Sequence, residues 1–328
     1  VTEAQAHPSS GWRFADLGRA AALCLDPEKL LTGAAGLFLA SLAFGVVYWL
    51  GLKTLEPGAV RVFTIVGVIL ASCIWVLFSG IIAKMSLTQL LEGRKAGAAE
   101  IRRFLAERWP TLIGTPLAFG SLSLLMLGFL ALMELLGSLP GLGPILFSAS
   151  FLLAFSLAFM ATLTALVHGL SVFIYPSVVA LRGAGAMGVL IEMFDLVRRR
   201  GLQLLLCEAV VGVAGSVMTA VIGSVVWAGL YIVMRTALAV MEERFELALS
   251  AVPEFFRIFL RPFESWLPYV PEPLEVVWHY DLSGFLLGAS LLCVIVGTAV
   301  YPFVFFNTAG SITYLILRSG GPEGRSGG

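Results

Sequence analysis

An all-α, polytopic membrane protein is the fold class this chain predicts, and three observations predict it. Hydrophobic residues fill 59% of the 328 positions, charged residues only 13%, and mean hydropathy is +0.94. Soluble domains carry about 25% charge, so part of the solvent must be lipid. The apolar residues also gather into six stretches, each near the ~20 residues that cross a bilayer. Between those stretches lie basic bends and Pro/Gly turns.

The elements follow in order. Residues 1–30 form a polar lead in which Trp12, Phe14, Leu17, Ala20, Ala21 and Leu25 recur at helical spacing. That pattern predicts an interfacial helix. Asp26 and Pro27 supply a cap and a first-turn proline for the next helix. Residues 31–318 read as a single six-span membrane domain. The first two spans cover 31–52 and 62–83, joined across Glu56-Pro57-Gly58. Residues 84–110 are basic and amphipathic, with Trp109 as an interface anchor and Pro110 as a helix start. Spans three to six are expected at 111–136, 145–173, 202–233 and 282–305. Residues 319–328 are Gly-rich and read as a disordered tail.

The stretch from 174 to 200, IYPSVVALRGAGAMGVLIEMFDLVRRR, organises the rest. A proline-bearing helix end runs into a small-residue bend, then an amphipathic segment and an arginine cluster. This is the composition of a membrane-surface elbow. Related elbows are expected at 84–110 and 300–318. The pairs RKAGA (94–98) and RGAGA (182–186), and Tyr175-Pro176 beside Tyr301-Pro302, suggest a repeated helix pair.

Orientation follows from the cations. Fifteen Lys and Arg lie in the lead, the 84–110 bend, the central elbow and the C-terminal end, against six in the alternate connections. The positive-inside rule then places both termini in the cytoplasm, and the Ala/Gly/Leu/Arg-rich usage suits a bacterial inner membrane. Zero net charge argues against a nucleic-acid partner. The chain lacks the HExxH, GxSxG and P-loop signatures, its four cysteines form no CxxC, and its three histidines fall at different depths. No enzymatic activity, metal or cofactor is therefore expected.

Few groups are candidates for function. His168 and Glu208 are ionisable groups inside adjacent spans, at a depth where they could meet as a buried polar pair. Arg182, Arg198, Arg199 and Arg200 can hold lipid phosphates by bidentate contacts, or simply keep the elbow inside. Asp195 can reach Arg198 and Arg199 at i+3 and i+4. Thr162, Thr164 and Ser171 read as interhelical hydrogen-bond donors. Gly215, Thr219 and Gly223, four residues apart, form a small-residue packing stripe. Residues 236–281 form an outer amphipathic segment with eight acids. There Phe255, Phe259, Trp266, Tyr269 and Trp278 compose a docking surface or a helix resting on the membrane.

The elbow residues Tyr175, Pro176, Gly185 and Arg198 to Arg200, the closing TAGSITYLILR with Tyr314 and Arg318, and the lead WRFADLGRAAALCLDPEKLL carry a family likeness. The chain resembles uncharacterised bacterial six-span proteins related to the membrane domain of glycerophosphodiester phosphodiesterases. The catalytic domain of those enzymes is absent, so the resemblance implies a membrane module without hydrolase activity. Abundant packing features beside few buried polar groups predict a non-enzymatic scaffold or accessory subunit. Its expected partners are membrane lipids and other membrane proteins or a second copy. The competing expectation is a transporter or channel with His168 and Glu208 in its path.

Overall fold

The structure is a computed structural model that describes residues 12, 14–53, 57–139, 142–241, 243–253 and 278–319. Among the described residues the chain is helical, with no strand. A 3-10 turn (Phe14–Gly18) leads into α1 (Arg19–Leu23). Then come α2 (Pro27–Lys53), α3 (Pro57–Glu92), α4 (Ala98–Gly137), α5 (Gly143–Ser171) and α6 (Tyr175–Arg182). The rest is α7 (Ala186–Met241), α8 (Glu243–Ser250) and α9 (Trp278–Ser319). Six of these, α2, α3, α4, α5, α7 and α9, are long and apolar enough to cross a membrane. Side chains such as Val62, Ile65, Leu124, Leu152, Val213 and Val225 stay exposed along them, as lipid-facing positions do. The protein is an all-α, multi-pass membrane protein.

Local chemistry sets the ends. Asp26 caps α2 through its side chain, Oδ1 accepting from the Glu28 amide at 3.1 Å, and its carbonyl accepts from the Leu30 amide at 3.0 Å. Pro27 fills the first helical position, where no amide proton is needed. Gly93 (φ 66°) and Gly183 (φ 63°) sit in the left-handed region and turn the chain after α3 and α6. Gly97 and Gly185 each accept the amide four residues on, opening α4 and α7. The two bends thus share a device, but the left-handed glycine stands just before the arginine of RKAGA and just after that of RGAGA.

Several expectations are corrected. Pro110 does not start a helix; it lies inside α4, as does Pro116. Ala106, whose carbonyl loses its donor to Pro110, is exposed on the same face, so that carbonyl is not stranded in a core. The elbow expected over 84–110 shrinks to residues 93–97. No elbow exists at 300–318: α9 runs through Pro302 to Ser319. That stretch lacks the left-handed glycine that turns the other two. The amphipathic segment after the central bend is continuous with the fifth span, interrupted only at Arg200 (φ −139°, ψ 27°). The tail from 320 lies outside the described residues, and Ser319 itself belongs to α9.

The chain divides into two compact units. The first holds 1–23, 79–211 and 306–328. Within it α4 packs along α5 and against α6. Its core is made of three runs, 79–88 at the end of α3, 174–179 at the start of α6 and 307–317 at the end of α9, in which nearly every residue is buried. These runs are unusually polar. Ser86 and Thr308 hydrogen-bond at 3.1 Å, and Ser177 and Ser311 at 2.9 Å.

The second unit holds 24–78 and 212–305. Its packing stripe is on α2, where Lys29, Gly33, Gly36 and Ala40 are buried at i, i+4, i+7 and i+11. Gly33 admits Val304 and Gly36 admits Phe78, each closer than a side chain would allow. Lys29 is only 1% exposed. The Tyr301 hydroxyl hydrogen-bonds the Cys24 sulfur.

Candidate functional site

The polar centre of the first unit is built around the central bend. Gly183 turns the chain back so that Arg182 on α6 reaches Glu192 on α7, with Nη1 3.2 Å from Oε2. From α9, the Tyr314 hydroxyl donates to the other carboxylate oxygen, Oε1, at 2.8 Å. Tyr314 is 1% exposed and the Glu192 side chain 15%. A buried carboxylate is costly unless both charge and lone pairs are met, and here an arginine and a phenol meet them from two other helices. Arg108 of α4 donates to the Gly183 carbonyl, and Arg200 of α7 to the Leu317 carbonyl. Four helices are thereby tied at the elbow.

A second ionic cluster holds the 93–97 bend. Glu100 accepts from Lys84 at 2.8 Å and from Arg94 at 3.0 Å, and Arg94 also reaches Glu92 at 2.6 Å. The Lys84 hydrogen bond, then that of Arg94, holds the Glu100 carboxyl below its ordinary value against its partial desolvation. Glu100 precedes the apolar part of α4, so this is interfacial electrostatics.

The residues singled out from the sequence divide. His168 and Glu208 both belong to the first unit, but no hydrogen bond or ion pair joins them. The imidazole lies 5.0 Å from the Phe119 ring, which in turn stacks on Phe194 at 6.0 Å. Aromatic rings thus fill the space on that side of His168, and its buried Nδ1 has no hydrogen-bond partner. Glu208 is half-buried and has no hydrogen-bond or ion-pair partner among the described residues.

Of the four elbow arginines, Arg182 and Arg200 are consumed by the internal bonds above. Arg198 and Arg199 are 75% and 63% exposed, and both bond Asp195, at 2.9 and 2.8 Å. Those two remain exposed despite their bonds to Asp195. Thr162, Thr164 and Ser171 are not interhelical donors. Their hydroxyls bond carbonyls three or four residues back in α5, the usual resort of Ser and Thr in an apolar helix.

Along the fifth span, Thr219 likewise turns its hydroxyl to the Gly215 carbonyl at 2.7 Å. A Cβ built on Gly223 would meet nothing within 4 Å. The stripe therefore has no helix seated on it at Gly223 among the described residues. Phe255, Phe259, Trp266 and Tyr269 lie outside the described residues; Trp278 begins α9.

Sequence reasoning missed Glu192, Tyr314, Lys84 and the hydroxyls of Ser86, Ser177, Thr308 and Ser311. The available signal was the run NTAGSITY at 307–314, with five hydrogen-bonding side chains in a helix otherwise apolar. Compared with protein families, curated proteins and solved structures, the chain matches none.

Proposed function

We propose that the chain is a non-enzymatic membrane scaffold or accessory subunit, whose intramembrane polar groups are completed by another membrane protein or a second copy. Glu208 carries this reading. A carboxylate inside a span costs about 3 kcal/mol on insertion scales, and among the described residues Glu208 has no partner to offset it. A basic, amide or hydroxyl side chain from a neighbouring protein at the same depth would. The open face at Gly223 supports the same reading independently, since small residues let a second helix approach. Residence in a bacterial inner membrane with cytoplasmic termini, exposed Arg198 and Arg199 meeting anionic headgroups, and docking through 236–281 belong to this proposal.

The test is extraction into native-lipid nanodiscs followed by native mass spectrometry of the wild type and Glu208→Ala. A companion, or a second copy, is expected at fixed stoichiometry with the wild type and lost from the variant. The thermal stability of the isolated chain should not fall, because no bond among the described residues is removed. A wild type that emerges alone refutes the proposal.

One observation favours a second reading, a transporter or channel. The α5–α6 helix is interrupted at 172–174 inside a buried region, and interrupted helices line substrate sites in many carriers.

A further inference from the structure

The polar centre of the first unit holds more positive charge than its acids offset. Arg182 is matched by Glu192, which also accepts from Tyr314. Arg108 and Arg200 are held by the Gly183 and Leu317 carbonyls. A carbonyl fixes a guanidinium but leaves its charge, and arginine cannot shed that charge by losing a proton. Glu107 acts on Arg108 electrostatically but is bonded to Arg103 at 2.9 Å. Arg318 follows Leu317 on α9. It is exposed and makes no hydrogen bond or ion pair among the described residues. Arg182 and Arg318 both act electrostatically on the Tyr314 hydroxyl. The charges of Arg108, Arg200 and Arg318 therefore stand unmatched around one Glu192–Tyr314 pair. The carbonyl end of α9 offsets only about half a charge.

The apolar neighbours indicate where an opposing charge comes from. Met187 and Ile191, one turn apart on α7, are both 63% exposed. Ile191 adjoins Glu192 in the chain, and Met187 follows the bend whose Gly183 carbonyl Arg108 holds. Leu202, two residues past Arg200, is 75% exposed. Arginines beside exposed apolar side chains, where membrane spans begin and end, suit the two halves of a phospholipid, its headgroup and its acyl chain. A free phosphate would use the arginines alone and gain nothing from Met187 and Ile191.

We propose that this cluster binds one anionic phospholipid. The Arg318 fork takes the phosphate, Arg108 and Arg200 supply the surrounding positive field, and an acyl chain lies along Met187 and Ile191. A guanidinium can meet two phosphate oxygens at once, in bonds stronger than neutral ones. A zwitterionic lipid brings its own ammonium and gains less from the excess charge. The site is separate from Arg198 and Arg199, which share Asp195, and does not depend on the assembly reading.

The test uses the full chain, delipidated in mild detergent, and native mass spectrometry. Dioleoylphosphatidylglycerol should add as a single saturable adduct, held about tenfold more tightly than dioleoylphosphatidylcholine. Excess inorganic phosphate should not displace it. Arg318→Gln should lose the preference between the two lipids. Arg102→Gln, which changes an exposed arginine of α4 outside the cluster, should bind as the wild type does. Should Arg318→Gln fail to fold, Arg318→Lys keeps the charge but not the fork, and should still bind several-fold more weakly. Equal affinity for the two lipids, displacement by inorganic phosphate, equal losses in Arg102→Gln and Arg318→Gln, or wild-type affinity in Arg318→Lys overturns the proposal.

Discussion

Gly310→Ala is the sharpest test of how the first unit is assembled. In an isolated helix the change is favourable, because alanine exceeds glycine in helix propensity by about 1 kcal/mol. In this structure the new methyl would stand 2.1 Å from the Phe173 oxygen and 2.7 Å from its carbonyl carbon. Even a weak C–H···O contact needs about 3.3 Å, so α9 or the α5–α6 junction must retreat by about 1 Å. The obstacle is backbone, which cannot swing aside as a side chain can. Overpacking costs typically 1–3 kcal/mol, and the upper end applies here. Subtracting the propensity gain leaves a net loss of about 2 kcal/mol, or about 4–8 °C in melting temperature.

The assay is size-exclusion retention after heating in mild detergent, with Gly128→Ala as the reference. Gly128 is also helical, in α4, but a Cβ there meets nothing within 4 Å, so its alanine variant should melt at or slightly above the wild type. If Gly310→Ala melts as high as Gly128→Ala, the approach of α9 to the interruption is not what holds these helices together.

Tyr314→Phe keeps the ring and removes the hydroxyl that serves Glu192; a hydrogen bond to a charged group is worth about 1.5–3 kcal/mol, and a double-mutant cycle with Glu192→Gln in the same melting assay should recover most of that as coupling energy. Additive losses would show that Arg182 alone stabilises Glu192. The Glu100 carboxyl, held down by Lys84 and Arg94, should contribute stability that is fully present above the unfolded-state value of about 4.3 and is lost as pH falls through the lower folded value. The gap in melting temperature between wild type and Glu100→Gln should therefore narrow as pH falls below about 4.3; a constant gap down to strongly acid pH would place the contribution of Glu100 elsewhere.

Much was determined by the sequence alone. The six apolar stretches, the Asp26-Pro27 start of α2, the glycine-rich bend at 183–185 and the Asp195–Arg198–Arg199 cluster all depend on neighbours within a few residues, and local chemistry along the chain specifies them. Propensity also misled locally. Pro110 reads as a helix start and Tyr301-Pro302 as the head of an elbow, yet both sit inside helices whose flanking residues keep the helix going. Thr162, Thr164 and Ser171 in α5 read as cross-helix donors, but carbonyls of the same helix are nearer.

What only the tertiary structure decided is which polar groups meet. Arg182 with Glu192 and Tyr314, Ser177 with Ser311, Ser86 with Thr308 and Gly310 with the Phe173 carbonyl join residues separated by up to 222 positions. No periodicity encodes such pairings. The same logic separates the two small-residue stripes: Gly33, Gly36 and Ala40 on α2 are buried, while the equally suggestive Gly223 has nothing seated on it. A glycine records only that something is allowed to come close. Whether a neighbour does so is settled by the arrangement of every other helix, because in a bilayer the apolar surfaces that separate right from wrong pairings are all equally content with lipid.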